Sequence, residues 1–575
     1  MSLSNPLPRA ARDGERGRAR TVLLVFSLVT LAVVARLVQL QVVEHGRWAA
    51  LAKATQERTL DVPPRRGTIY DRSGVPLAYD VKARGIAIDS LNMTKPEALV
   101  ALLNKELGIP VASLQRLIYR PSYFTWIDRK VDLATVARIE AEAKKARAYG
   151  LLFFETWKRC YPEGDLASNL LGFVGTDGAG LEGVERQFET LLAGTPDKVE
   201  ILKGADGRTY ETRVLEKGKP GQDVVLTIDS RFQHICEEEV SRGTLEKQGK
   251  AGYVVAMDPK TGEILAMAQS RRYDLNRFAQ SSAEDRRNLP VSFLCEPGSS
   301  FKTFSALAAL ECGAVSTSDV FNGNDGYAVA GHPFHNAGKV SYGTVNLAKI
   351  LKMSINAGII QVAQQVGEER FHQALVNLGF GQKTGIALPG EEAGILRPVE
   401  EWSGLELATL SFGQGIAVTG VQLVRAFAAV ANGGILLEPQ IVVRPADGKK
   451  PAGPTVVRQV ASPATCRTMT DLLCGVVMDS DGTAPAARVA GFKVAGKTGT
   501  AQKALPGQGY VPGRYTALFA GYLPAEAPAL VLLCVIDEPA GGAGGGLAAA
   551  PIFGRAAARI AALDHLAPVA SVSSR

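Results

Sequence analysis

A serine stands three residues ahead of a lysine in the stretch Glu296-Pro297-Gly298-Ser299-Ser300-Phe301-Lys302. Pro297 and Gly298 are breakers. The run from Phe301 to Leu310 then carries apolar residues at helical spacing until Gly313 ends it. Residues i and i+3 share a helix face, so Ser299 and Lys302 are expected to touch. A serine hydroxyl is a weak nucleophile until a base takes its proton, and a desolvated lysine amine can be that base. A helix N-terminus beside the serine would add N–H groups and partial positive charge for a developing oxyanion. A capping serine followed by a surface lysine would show the same spacing. The pattern occurs once in the chain, however, and two polar triplets follow it in order: Ser354-Ile355-Asn356 and Lys497-Thr498-Gly499, the latter extended by Thr500.

Lysine–threonine–glycine occurs three times. Lys260-Thr261-Gly262 follows Asp258-Pro259 between two apolar runs, and turn geometry explains it. Lys383-Thr384-Gly385 leads into Leu388-Pro389-Gly390 and belongs to a loop. Only the stretch beginning at Lys497 falls in a strand pattern. There Gly499 would let a substrate backbone approach closely, and a strand edge could take up a peptide as an added strand. Ser90-Leu91-Asn92 repeats the middle motif but precedes the nucleophile and lies in a different region. Ser354-Ile355-Asn356 falls between predicted helices, where a loop could aim both side chains into a cleft. His332-Pro333-Phe334-His335 has no acidic or cysteine residue in its local run and reads as loop or core histidines, not as metal ligands.

The elements that must position these residues fall in one large region, residues 222–565. Asp229 is predicted to cap a helix reaching about Glu246. Two strands, 252–257 and 263–267, flank the turn at Asp258–Gly262. A helical middle is predicted from Ser299 to about Ala431, where Asn432-Gly433-Gly434 stops it. Strands follow at 491–502, 515–523 and 529–536, and a helix at 552–563. The glycine-rich stretch 540–546 lacks a strand–loop–helix with lysine and is expected to be a flexible loop. Strands at both ends with helices between them predict an antiparallel sheet flanked by helices, an α+β arrangement.

Ahead of this lies a separate module, residues 44–221, with a helical insertion at 95–150. Charged residues around Arg66–Gly74, Arg159–Gly164 and Gly180–Glu185 are expected to interlock as salt bridges rather than to do chemistry. A net charge of +7 over 575 residues is mild and gives no case for nucleic acid. Seven cysteines without a Cys-x-x-Cys pair argue against a zinc site and a disulfide framework. Cys466 and Cys474 lie on one predicted helix about 12 Å apart by helical rise, too far to bridge.

Residues 1–20 carry five arginines and two acids. The apolar run 22–35 alone is short enough for a signal-peptide core, with Val33 and Ala35 as a weak cleavage site. The pattern resumes after Arg36 as Leu37, Val38, Leu40, Val42 and Val43, which favours an uncleaved single span over residues 21–43. The basic flank then stays in the cytoplasm and the rest of the chain lies outside. Residues 566–575 are expected to be a disordered tail.

The three triplets, in this order, are those of penicillin-binding proteins and serine β-lactamases. With the anchor, Arg66–Gly74, Tyr161-Pro162, Gly180–Glu185, Arg287-Asn288, Ser411–Gly415, Ala495–Gln502 and Asp537–Pro539, the chain resembles class B penicillin-binding proteins of the division-specific, FtsI-like septal type, as far as about residue 555. The resemblance implies an elongated β-rich pedestal under a transpeptidase domain of serine β-lactamase-like fold. It also implies a D,D-transpeptidase that needs no metal or organic cofactor. Ser299 would attack the penultimate D-alanine of a peptidoglycan stem peptide with Lys302 as base. N–H groups of Ser299 and Thr500 would hold the oxyanion. Ser354 and Lys497 would relay the proton to the leaving D-alanine, and Asn356 would orient Lys302 and the substrate amide. Thr498 and Thr500 would hold the terminal carboxylate beside Lys497. β-Lactams would acylate Ser299, and the expected partners are a SEDS-type glycosyltransferase and other division proteins. Three departures stand out: 540–546 lacks the family's aromatic, Gly420 stands where proline is common, and Asn169 stands where histidine is expected.

Other readings are an elongation-specific enzyme of the same class, a β-lactamase or D,D-carboxypeptidase, and a silent scaffold or β-lactam sensor. No Glu-x-x-Leu-Asn pattern lies between Asn356 and Lys497 to activate a deacylating water. A sensor needs a signalling domain on the inner side, where only about 20 residues are expected, and a silent scaffold would be expected to lack a motif.

Overall fold

The computed structural model describes residues 9–203, 209–444, 453–505 and 509–566. The expected tail at 566–575 lies, apart from Leu566, outside the described residues. At the N-terminus a helix, Arg9–Val38, continues as a π-helical segment, Gln39–Val43. Among the described residues, 17–43 is the one helix long and apolar enough to cross a membrane.

The remainder divides into two compact units, and the division differs from the boundary expected near residue 221. The larger unit contains 65–82 and 157–194 together with 220–575; the smaller contains the chain up to 64 with 83–156 and 195–219. A buried ion network holds 65–82 and 157–194 within the larger unit. Arg66 Nε and Arg159 Nε each lie 2.7 Å from a different carboxylate oxygen of Glu185. Arg159 also reaches Asp80 at 3.2 Å, and Tyr161 donates its hydroxyl to Glu185. Glu185 is fully buried, which two guanidinium partners make tolerable. These charged residues interlock as expected.

In the smaller unit, strands Glu57–Val62, Asp197–Lys203 and Thr209–Glu216 form an antiparallel sheet. The insertion at 95–150 carries helices Pro96–Leu107, Val111–Ile118 and Leu133–Ala146, but it is not wholly helical. Residues Thr125–Asp132 form a strand paired with 83–88. Trp126, Ile127 and Val131 favour an extended chain over a helix. Leu99, Leu103, Leu114, Ile118, Val136 and Ile139 close its core over Ile86 and Ile88.

The larger unit is built on a five-stranded antiparallel sheet. In chain order its strands are β1 (Ala251–Met257), β2 (Ile264–Gln269), β3 (Ala495–Leu505), β4 (Gly509–Leu523) and β5 (Leu530–Asp537), and they pair in the order β2-β1-β5-β4-β3. Every residue of β1 and β5 is buried, because helices cover both faces. On one face, Val254, Ala256, Phe519 and Leu532 pack on α1 (Ser230–Glu246) and on the final helix, Ala550–Leu563. Asp229 caps α1 by accepting from the Arg231 N–H. On the other face, Tyr253, Val255, Leu518 and Leu533 meet α2 (Lys302–Glu311), α3 (Leu347–Met353), α4 (Asn356–Val366), α5 (Gly420–Ala431) and α6 (Pro463–Met478) within one core. All twelve residues of α5 are buried; its two polar side chains are satisfied, Gln422 by forming a capping box with Thr419 and Arg425 by donating to Leu437 O. Cys466 and Cys474 both lie on α6 and are free thiols.

The helical middle is less continuous than predicted. Two small ribbons interrupt it, Val320–Asn322 with Thr344–Asn346 and Tyr327–Val329 with His332–Phe334. Gly326 and Gly331 supply the positive φ values (+78° and +79°) at their turns.

Candidate active site

Ser299 lies in a 3-10 turn, Gly298–Phe301, that runs straight into α2. Gly298 has φ +52°, and a β-carbon there would stand 2.6 Å from the carbonyl oxygen of Thr500 on β3. The Gly298 N–H donates to Gly413 O at 3.0 Å, and a β-carbon on Gly413 would lie 2.2 Å from Gly298 O. Glycines at 298 and 413 therefore allow the Ser299 turn to press between a strand and a loop. Glu296 fastens the same turn: its Oε1 accepts from the Gly415 N–H and from the Tyr510 hydroxyl, each at 2.9 Å. Burial pushes the Glu296 carboxyl up from its ordinary range. The sequence reading did not single out Glu296; its only signal was a carboxylate three residues before Ser299.

Lys302, the first residue of α2, is fully buried. Its Nζ donates to Ser354 O at 2.6 Å, to Asn356 Oδ1 at 2.6 Å and to Ser354 Oγ at 3.2 Å. Lys497 on β3 is equally buried; its Nζ lies 3.1 Å from Ser354 Oγ and 3.2 Å from Thr498 Oγ1. The Ser354 hydroxyl thus sits between two amines. It is aimed there by an unusual backbone, since Ser354 ends α3 in the left-handed region with φ +57°. Asn356 opens α4 and donates its Nδ2 to His335 O at 2.7 Å, which leaves Oδ1 for the lysine. Among the described residues no carboxylate pairs with either lysine. Burial first, and then the charge of Lys497, holds the Lys302 amine well below its ordinary value; burial alone brings Lys497 to about 7.

The expected contact between Ser299 and Lys302 differs in detail. Among the described residues no hydrogen bond joins them. A buried amine takes the best acceptors within reach, and those are a carbonyl and an amide oxygen. Ser299 stays half-buried on the same turn, at the spacing where 3-10 side chains eclipse.

Thr498 is buried, whereas Thr500 is exposed at the sheet's edge strand. Gly499 is required by the fold itself. A β-carbon there would meet Pro297 O at 2.5 Å and Leu518 at 2.7 Å, so the glycine makes room for the protein's own serine turn. The glycine-rich stretch 540–546 is also not a loose loop. The Gly545 N–H donates to Thr500 Oγ1 at 3.0 Å. β-Carbons at 544, 545 and 546 would strike Thr500 Oγ1 (2.8 Å), Leu518 O (2.1 Å) and Thr483 O (2.4 Å). These glycines pack against β3 and β4 where nothing larger fits.

The arrangement pairs a half-buried serine with a neutral-leaning amine, and a hydroxyl links that amine to a second one. It suits acyl transfer through a serine ester. Residues 252–558 match the penicillin binding protein transpeptidase domain, and residues 61–226 match the penicillin-binding protein dimerisation domain. The chain belongs to the penicillin-binding protein transpeptidases. Among its relatives in this family is the probable peptidoglycan D,D-transpeptidase PenA of Neisseria gonorrhoeae. It is 31% identical over 544 residues, covering 93% of this chain and 91% of the relative. The peptidoglycan D,D-transpeptidase FtsI of Escherichia coli K12 is 31% identical over 537 residues, with coverage of 92% and 88%. A crystal structure of penicillin binding protein 3 from Mycobacterium tuberculosis, complexed with aztreonam, superposes with a TM-score of 0.69 at 28% identity, covering 89% of this chain and 98% of that one.

As a class B penicillin-binding protein, the chain carries two of its departures without disturbing the site. The space a side chain at Gly420 would fill is taken by the Tyr253 ring, 2.6 Å away. Asn169 donates its amide to the carbonyl oxygens of Asp285 and Arg287.

Proposed function

We propose that this transpeptidase cross-links peptidoglycan stem peptides during septal wall synthesis. In this reading Ser299 is the nucleophile and Lys302 its base. The observation that carries the assignment is the pair of buried amines sharing the Ser354 hydroxyl beside the serine turn. Ser299 Oγ attacks the carbonyl of the penultimate D-alanine, and its proton passes to the neutral Lys302 amine. N–H groups of Ser299 and Thr500 hold the oxyanion. As the C–N bond breaks, Lys497 and Ser354 return a proton to the departing D-alanine nitrogen. Asn356 holds Lys302 by Oδ1, and its second amide proton can meet the substrate. Thr498 and Thr500, with Gly499 keeping β3 close, receive the terminal carboxylate beside Lys497. An amine of a second stem peptide then attacks the ester, closes the cross-link and frees Ser299. β-Lactams enter by the same attack and remain as the ester.

The apolar helix over residues 17–43 supports a single-pass anchor in the cytoplasmic membrane, and arginines before it support an inside N-terminus with the chain after about residue 44 outside. The septal assignment, with a SEDS-type glycosyltransferase and other division proteins as partners, draws its support from the FtsI-like motifs and from FtsI among the relatives.

Intact-mass spectrometry of the protein after exposure to a penicillin, with Ser299→Ala as control, tests the chemistry. A long-lived one-to-one adduct confined to the Ser299 protein is expected. An adduct that clears in seconds would indicate a hydrolase, and none on folded protein would overturn the reading. In cells carrying Ser299→Ala as their only copy, failed septation with continued elongation is expected; loss of elongation would move the enzyme to the side wall.

A further inference from the structure

Asn356 stands at the first position of α4, yet Ile355, just before it, offers no side-chain cap to the helix N-terminus. The cap comes from a segment twenty residues upstream. Asn336 Oδ1 accepts from the Asn356 N–H and the Ala357 N–H, both at 3.0 Å. Asn336 is only 3% exposed, and its Nδ2 donates to Gly323 O at 2.9 Å and to Val340 O at 2.8 Å. Both amide protons are used and the oxygen accepts twice, so this side chain is fully committed. Its backbone is held too: the Asn336 N–H donates to Asp325 Oδ1 at 2.7 Å, while Asp325 Oδ2 lies 2.9 Å from His335 Nδ1. The neighbouring carbonyl, His335 O, takes the Asn356 Nδ2 proton. Two consecutive residues thus grip Asn356, one at its backbone and one at its side-chain amide.

This grip decides which end of the Asn356 amide faces Lys302. With Nδ2 tied to His335 O, Oδ1 must point at the amine, and it does so at 2.6 Å. A freed Asn356 could turn and present N–H groups to an amine that needs an acceptor. We infer that Asn336 is a positioning residue for acylation: it caps α4 from outside and sets Asn356 Oδ1 on Lys302 Nζ without touching the serine. The inference rests on the assignment of Lys302 as the base.

The test uses the full chain in detergent and a fluorescent penicillin as the probe. Acylation rates are measured across pH for wild type, Asn336→Ala, Asn356→Ala and the double variant, with thermal melts to confirm folding. Asn336→Ala is expected to slow acylation at least tenfold. It should also move the acid limb of the rate profile to lower pH, because Lys302 loses an acceptor that favours its charged form. The double variant should be no slower than Asn356→Ala alone, since both changes remove the same contact. An unchanged rate and limb in Asn336→Ala, or losses that multiply in the double variant, would overturn the inference. If Asn336→Ala does not fold, Asn336→Asp keeps the oxygen that caps α4 and gives up the Nδ2 donors. Its limb should stay at the wild-type position or move to higher pH, since an added carboxylate also favours the ammonium, and a limb moved to lower pH would count against the cap. Failure of the wild type to be acylated would sink the proposed function instead, so the two failures are distinguishable.

Discussion

A β-carbon on Gly298 would stand 2.6 Å from the carbonyl oxygen of Thr500, so the turn carrying Ser299 and the strand carrying Lys497 are in backbone contact. Gly298→Ala must separate them and also hold alanine at φ +52°, a strain on the order of 1–3 kcal/mol. Acylation by penicillin is expected to fall at least tenfold with a modest drop in melting temperature. A variant with wild-type acylation would show that the contact does not position Ser299.

Ser354 holds a left-handed backbone that glycine adopts freely. Ser354→Gly should melt at or above the wild-type temperature, yet lose acylation by about a hundredfold or more, because the hydroxyl between the two amines is gone. Calorimetry and stopped-flow labelling on the same preparation check both halves. Retained acylation would remove Ser354 from the proton path.

Lys497 titrates at about 7 instead of near its unfolded value of roughly 10.4 because it is buried. A lysine whose folded value is depressed binds fewer protons in the native state. Its contribution therefore makes stability rise with pH between the two values, and its full penalty is present below the lower one. Lys497→Met is expected to raise the melting temperature at pH 7 while abolishing acylation, with its advantage shrinking toward pH 10. A destabilised Lys497→Met protein at pH 7 would contradict this.

Lys302 is also held well below its ordinary value, by burial and then by the charge of Lys497. Acylation should rise with pH along a limb belonging to the coupled pair of lysines, not to either alone. Lys497→Met removes the neighbouring charge, so any residual acylation should show the limb displaced to higher pH. No displacement would mean that the amines do not sense each other.

Glu185 is the shared partner of Arg66 and Arg159, with all three buried. Glu185→Ala leaves Arg66 with Glu189 and Arg159 with Asp80 as their remaining carboxylates, and should cost about 2–3 kcal/mol, less than the roughly 3–5 of a fully uncompensated pair. Denaturant melts measure the loss, and acylation per folded molecule should be unchanged. A loss smaller than 1 kcal/mol would show that water reaches the network.

The sheet was legible because β1 and β5 are continuous apolar runs between turn residues, and the order of the three triplets named the chemistry. The boundary expected near residue 221 lies close to the end of the dimerisation-domain match at 226, because composition changes at Glu216–Gln222; the packing of 65–82 and 157–194 into the larger unit was not legible, since their ion network joins residues up to 119 positions apart. The packing around Gly499 and 540–546 was not legible for a related reason. A glycine shows that space is short, not what fills it, and here the occupants are Pro297 O and the neighbouring strands. Asn336 left no local mark at all, because capping one helix from a distant ribbon follows no fixed spacing.

The desolvated amines have one more consequence. Lys302, Ser354 and Lys497 are brought together from segments spread over nearly 200 positions of the chain, and neither amine leaves water until all of them close. In a nascent or partly folded polypeptide both lysines are ordinary ammonium groups and Ser299 is an ordinary alcohol. Covalent capture of a penicillin therefore counts finished molecules, and the antibiotic reports how much of a population has completed its folding.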